Sequence, residues 1–182
     1  LVTQLYLKKF SEMPATLKKY GEINTRSERV KNRIKYTVDI HELLMYIVSG
    51  RFHEGLPLAI KIKEELDDRK NKIMYGEQKT LLYYSLASLF FGAENYSMSN
   101  AYLNKILDKT SVDVRSDLHY FTKILHLIVY FETGKQELLE YAVKSTYRFL
   151  YKRNTLYQFE KIILDFIRKK SGLSLFLHSG EI

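Results

Sequence analysis

Few side chains in this chain are placed to do chemistry. Glu64, Glu65, Asp67 and Asp68 crowd four carboxylates into one short run, and carboxylates are the groups that general acid–base catalysis uses in positioned pairs. Their spacing scatters them over different helix faces, and Lys61, Lys63, Arg69 and Lys70 lie beside them. A salt-bridged surface is therefore expected. His119 and His126 stand seven residues apart, two helical turns, on one face and about 10 Å from each other. Zinc takes imidazole nitrogens at about 2.1 Å, so the pair cannot share an ion without ligands from elsewhere, and packed or surface histidine is the reading adopted. Lys144, Arg148 and Lys152 follow one another at four-residue steps, with Tyr147 and Tyr151 running beside them. Such a ridge can hold phosphates or an acidic peptide, and the tyrosines can stack on bases. The alternative, which the sequence favours, is that the tyrosines are partly core and the ridge faces water.

The charge balance points the same way. The formal net charge is +8. Between Lys144 and Lys170 eight basic residues face only Glu160 and Asp165, so most of the excess sits in the last two helices. A second basic stretch, RSERVKNRIK from Arg26, reads as a solvated helix face. No helix-turn-helix or zinc-finger signature accompanies either stretch. The chain has no P-loop, no G-x-G-x-x-G, no H-E-x-x-H and no nucleophile elbow. With no cysteine, disulfides, cysteine-held metals and a catalytic thiol are excluded. An enzyme is not expected, nor a cofactor or metal. The missing cysteines fit a reducing compartment, and a cytoplasmic setting is expected. No apolar run approaches the ~20 residues of a membrane span, so no membrane contact is expected. The sequence opens on Leu1 and can be a piece of a longer protein.

What must position these residues is a set of helices. The chain has 182 residues, 46% of them hydrophobic, with only 8 Gly and 2 Pro, and it suits one all-α domain. Its organising stretch is Leu81–Leu107. Tyr83, Leu86, Ala87 and Phe90 recur at three- and four-residue steps, the stripe of an α-helix. Gly92 and Asn95 break the pattern and predict a turn, with Ser97 or Ser99 capping a second helix. That helix carries Tyr96, Ser99, Leu103 and Ile106 on one stripe.

These eight residues, in this order and spacing, resemble the tetratricopeptide repeat. Ser99, Ile106 and Ser111 depart from it, standing where the family usually has Ala, Ala and Pro. A second copy aligns Phe52 with Tyr96, Leu43 with Ala87, Tyr46 with Phe90, Gly55 with Ser99 and Ile62 with Ile106. A third, from about Phe121 to Leu150, has Tyr130 as its second aromatic and Gly134 as its turn. Gly50, Gly92 and Gly134 recur every forty-two residues, longer than the ~34-residue unit of that family. The run from Ser116 to Leu164 is also similar to the C-terminal part of bacterial helical-repeat proteins. The resemblance implies antiparallel helix-turn-helix repeats, seven to nine helices in all, forming a right-handed superhelical array across residues 1–182.

Elsewhere the chain is expected to build further helices. Residues 1–25 form an irregular helical lead-in, with Pro14 starting a short helix. Thr25 and Glu28 form a capping pair for a long helix striped by Val30, Ile34, Val38, His41, Met45 and Val48. Helices are predicted over 53–70, 113–133 and 136–152, the second of them apolar nearly all round. Thr155 and Gln158 cap a last helix, from 156 to about 170, that packs through Tyr157, Ile162 or Ile163, Phe166 and Ile167. The tail, 172–182, can cap the core, dock in the array's own groove, or meet a second copy of the chain. The resemblance further implies a non-catalytic protein or peptide-interaction module, a scaffold or adaptor. Its groove candidates are Asn100 and Asn104. The alternative is a regulatory module that binds nucleic acid or another polyanion through the ridge at Lys144, Arg148 and Lys152.

Overall fold

The structure, a computed structural model, describes residues 1–67, 76–108, 116–152 and 158–172. Every regular element among them is helical: α1 (Val2–Tyr6), α2 (Met13–Gly21), α3 (Glu28–Val48), α4 (Phe52–Asp67), α5 (Gly76–Gly92), α6 (Tyr96–Leu107), α7 (Ser116–Glu132), α8 (Gln136–Lys152) and α9 (Gln158–Lys170). The chain divides into two compact units, Leu1–Leu118 and His119–Ile182. Asp68, the connector at 71–75, the loop Thr110–Asp113, Thr155, Tyr157 and the tail from Leu173 lie outside the described residues.

In the first unit, α5 packs against α3, α4 and α6, and α3 packs against α1, α2 and α4. The central stripe is buried as its spacing requires: Tyr83, Leu86, Ala87 and Phe90 on α5, and Ser99, Leu103 and Ile106 on α6. Tyr102 joins them, its ring stacked at 6.0 Å on Phe90. The lead-in holds two short helices. Pro14 stands in the first turn of α2, where its missing N–H has no helical bond to lose. Met13 and Leu17 are buried.

Along α3 the buried set is Ile34, Tyr36, Ile40, Leu43 and Met45, whereas Val30 and Val48 are exposed. A helix with neighbours on several sides needs more than one stripe. The Thr25–Glu28 capping pair does not form. Ser27 is the N-cap, so Glu28 is the first helical residue and cannot reach back; it pairs with Lys31 at 2.6 Å instead. Thr25 Oγ1 accepts from the Ser27 N–H.

Three helix–helix turns close alike. At the ends of α3, α5 and α7, the Arg51, Asn95 and Lys135 N–H groups donate to the Tyr46, Phe90 and Tyr130 carbonyls, and the Gly50, Glu94 and Gly134 N–H groups donate to those of Ile47, Phe91 and Phe131. This is the Schellman pattern, which needs a left-handed residue just past the helix. Gly50 (φ 71°), Glu94 (φ 61°) and Gly134 (φ 64°) supply it. Gly92 is not the turn residue; it is still helical. A Cβ there would lie 2.2 Å from the Phe52 ring, so close approach accounts for the glycine. Asn95, not Ser97 or Ser99, caps α6, its Oδ1 accepting from the Met98 N–H at 3.1 Å.

In the second unit, Leu127 of α7, Leu139 and Val143 of α8, and Leu164 and Ile167 of α9 form one core, with Tyr130, Phe131, Ala142, Tyr147 and Ile163 packed on it. Of the α9 residues expected to pack back, Ile163 and Ile167 do, whereas Ile162 and Phe166 are 59% and 52% exposed. Phe121 on α7 is exposed too, so that helix is not buried all round.

Candidate interaction surfaces

The ridge lies along the outer face of α8. Its opposite face, Leu139, Val143, Thr146 and Leu150, is buried, so the four-residue steps of Lys144, Arg148 and Lys152 bring all three to solvent in one line. Lys144 pairs with Glu140 at 2.7 Å. Arg148 and Lys152 have no carboxylate partner among the described residues. Tyr147 and Tyr151 stack at 6.0 Å with their planes 14° apart. Tyr147 is held against the core, while Tyr151 is 64% exposed. Glu160, counted against this charge in the sequence, is buried on the inner stripe of α9 with Leu164 and Ile167, and its Oε2 has no hydrogen-bond partner among the described residues. It stands in the first turn of α9.

A second surface was not evident from the sequence. Ile128, Phe131 and Glu132 of α7 and Ile162, Ile163, Phe166 and Ile167 of α9 line a groove of about 320 Å³. Among the described residues that line it, Glu132 is the one that is charged. The rings of Phe131 and Phe166 meet at 6.0 Å. Solvent-facing apolar side chains gathered in one depression are characteristic of interaction sites. The available signal was the pair Ile162 and Phe166, four apart, beside the buried pair Ile163 and Ile167.

In the first unit, Asn100 and Asn104 stand one turn apart on α6, half-buried beside the fully buried Ser99 and Leu103. A cleft of about 270 Å³ is lined by Gly21, Ile23, Lys31, Ile34, Lys35, Val38 and Asp39. Lys35 bonds Glu65 across to α4 and lies 3.6 Å from Asp39. Burial opposes the Lys35 charge, but the Glu65 bond and the Asp39 carboxylate outweigh it and raise its pKa. Burial also pushes the Asp39 carboxyl up, against the pull of Lys35. Of the clustered carboxylates, Glu65 is taken by Lys35 and Asp67 pairs with Lys63 at 3.3 Å.

His119 and His126 are both buried. His126 packs against Tyr130 at 4.2 Å. Burial, with the Lys123 and Lys135 charges adding to it, lowers its pKa to about 4, so its imidazole is neutral near pH 7. Among the described residues no three His, Asp or Glu side chains are grouped to hold a metal ion, and no helix is long and apolar enough to cross a membrane. Compared with protein-family models, with curated proteins and with solved structures, the chain matches none.

Proposed function

We propose that this chain is a non-catalytic protein or peptide-interaction module, a scaffold or adaptor of tetratricopeptide-like type. The fold part of this reading draws on equivalences between hairpins. Counting from the left-handed residue of each turn, Leu43, Ala87 and Leu127 hold one place, and Ala59, Leu103 and Val143 another; all six are buried. In the first unit α3 lies beside α5, and α4 packs on both, as first and second helices do in stacked repeats. A right-handed superhelical array extends this pattern.

The observation that carries the functional reading is the groove between α7 and α9. It presents bulky apolar side chains to solvent on two packed helices, a surface suited to the apolar face of a peptide. The test is capture of partners from native lysate by the wild-type chain and by Phe166→Asp, at low and high salt. Partners that survive high salt and are lost with Phe166→Asp support the module. Equal capture by both forms refutes the groove as its site.

A second reading rests on Arg148 and Lys152, which have no carboxylate partner among the described residues. It makes the α8 ridge a binding site for nucleic acid or another polyanion. Binding would weaken steeply with salt, because each neutralised phosphate releases counterions. Reversing Lys144, Arg148 and Lys152 to Glu would abolish it, and retained binding in that triple variant rejects it.

A further inference from the structure

The basic ridge of α8 contains a feature that its charge does not explain. Tyr147 and Tyr151, one turn apart, stack at 6.0 Å with their planes 14° apart. Tyr147 is held by the core of the second unit, whereas Tyr151 is 64% exposed. An anchored ring therefore steadies a second ring at the surface, with most of it open to solvent. Fixing a side chain on binding costs conformational entropy, and here packing within the fold already fixes it. Arg148 and Lys152 stand three residues before and one after Tyr151 on the same outer face, and neither has a carboxylate partner among the described residues. Lys123 of α7 lies over the Phe149 ring at 5.1 Å, so a cation from a second helix also reaches this end of α8. The two carboxylates of α8, Glu137 and Glu140, stand eleven or more residues before Tyr151, at least about 16 Å back along the helix.

We infer that this end of α8 is a binding site for single-stranded nucleic acid, in which an unpaired base stacks on the open face of Tyr151 while Arg148 and Lys152 hold phosphates on either side of it. The inference rests on the reading of the α8 ridge as a polyanion site, and it names the class of polyanion. A row of cations alone attracts any chain of phosphates or carboxylates. An open aromatic face adds an attraction that a base can use, because every base has a π-face. The charged side chains of an acidic peptide carry no ring to lay on it. A duplex keeps its base faces covered by neighbouring pairs, so it too leaves Tyr151 unused. The cations are suitably placed. Arg148 and Lys152 are one turn apart, about 6 Å along the helix, and their flexible stems reach to either side of the ring. Tyr141 supplies a contrast on the same helix. It is 76% exposed, but no ring stacks on it among the described residues, and it stands beside Glu137 and Glu140, which repel phosphates.

The test is an anisotropy titration of the full chain, at fixed salt, against labelled probes about 12 units long. The probes are a thymidine or uridine oligomer, an abasic strand with the same phosphates, and a duplex; the first two separate DNA from RNA as the source. The chain should bind the single strand about tenfold tighter than its abasic counterpart, the size of one stacked base, and tighter than the duplex. Tyr151→Ala and Tyr151→Leu should each erase that preference. Leu keeps the apolar bulk, so a loss there reports the ring and not packing. Tyr151→Phe and Tyr141→Ala should bind as the wild type does. Reversing Arg148 and Lys152 to Glu should remove binding to all the probes. If the strand and its abasic counterpart bind alike, or if the preference persists in Tyr151→Leu, the inference is overturned and the polyanion reading stands. A loss in Tyr141→Ala as large as in Tyr151→Ala also overturns it, since the stacked pair is then not the site. Binding to none of the probes overturns both.

Discussion

Replacing Gly92 by Ala sets two effects of opposite sign against each other. In a helix interior Ala is favoured over Gly by about 1 kcal/mol, and Gly92 is the last residue of α5, where less of that gain applies. Against it stands the Phe52 ring. A Cβ on residue 92 would lie 2.2 Å from Cδ1 and 2.4 Å from both Cε1 and Cγ. These are ring atoms next to the backbone, not the end of a flexible chain, so Phe52 or the start of α4 must shift. Overpacking of this kind costs about 1–3 kcal/mol. The net expectation for Gly92→Ala is a loss of about 1–2 kcal/mol, read as a lower urea midpoint by circular dichroism with an unchanged slope. Phe52→Ala alone also destabilises, because a half-buried aromatic ring is lost. In the double variant the Gly92→Ala penalty should disappear, giving a coupling energy of about 1–2 kcal/mol between the two sites. If Gly92→Ala is neutral or stabilising in the presence of Phe52, close approach is not the reason for glycine there. If the two changes simply add, the contact is not where the cost arises.

Other substitutions test other parts of the structure. Glu94 occupies the left-handed place that Gly50 and Gly134 hold elsewhere, and its side chain is exposed, so Glu94→Gly should stabilise by about 0.5–1 kcal/mol; a lower melting temperature would refute the equivalence of the three turns. Tyr102 is buried with no partner for its hydroxyl among the described residues. Tyr102→Phe should therefore be neutral or stabilising by up to about 1 kcal/mol, and a loss above that would reveal a hidden hydrogen bond. The folded-state pKa of His126 is lowered to about 4 from 6.5, so the unfolded chain binds the extra proton first. Its contribution is fully present above pH 6.5 and is lost as pH falls from there towards 4, by up to about 3 kcal/mol. His126→Phe should flatten stability over that window, and an unchanged pH profile would show that His126 does not titrate on unfolding.

The part of the fold written in local spacing was legible. Tyr83, Leu86, Ala87 and Phe90 are buried because three- and four-residue steps align them whatever surrounds the helix. The alignment of Phe52 with Tyr96 and of Tyr46 with Phe90 agrees with the turn hydrogen bonds. The even spacing of the three glycines was misleading. Gly92 answers to Phe52, a residue on another helix, and the true turn residue is a glutamate, which no propensity would choose for φ 61°. Val30 and Val48 fit the stripe of α3 but are exposed, since a periodic pattern gives a face without saying where its neighbours stop. The same holds at the candidate sites. The ridge on α8 was visible because one helix carries all of it. The groove was not, because Ile162 and Phe166 read as core until the extent of α7 beside α9 is known. Glu160 looked like a surface charge and lies inside, on a stripe that only the packing of α9 defines.

The shortness of the three turns has a kinetic consequence. Each hairpin joins its helices through a turn of about three residues, so the chain closes almost no loop before the two helices can meet. Contacts this local favour rapid formation of each hairpin. A nascent chain could complete α3 with α4 before the residues of α8 have been synthesised. Native-state hydrogen exchange would then reveal the hairpins, and not single helices, as the segments that open and close together.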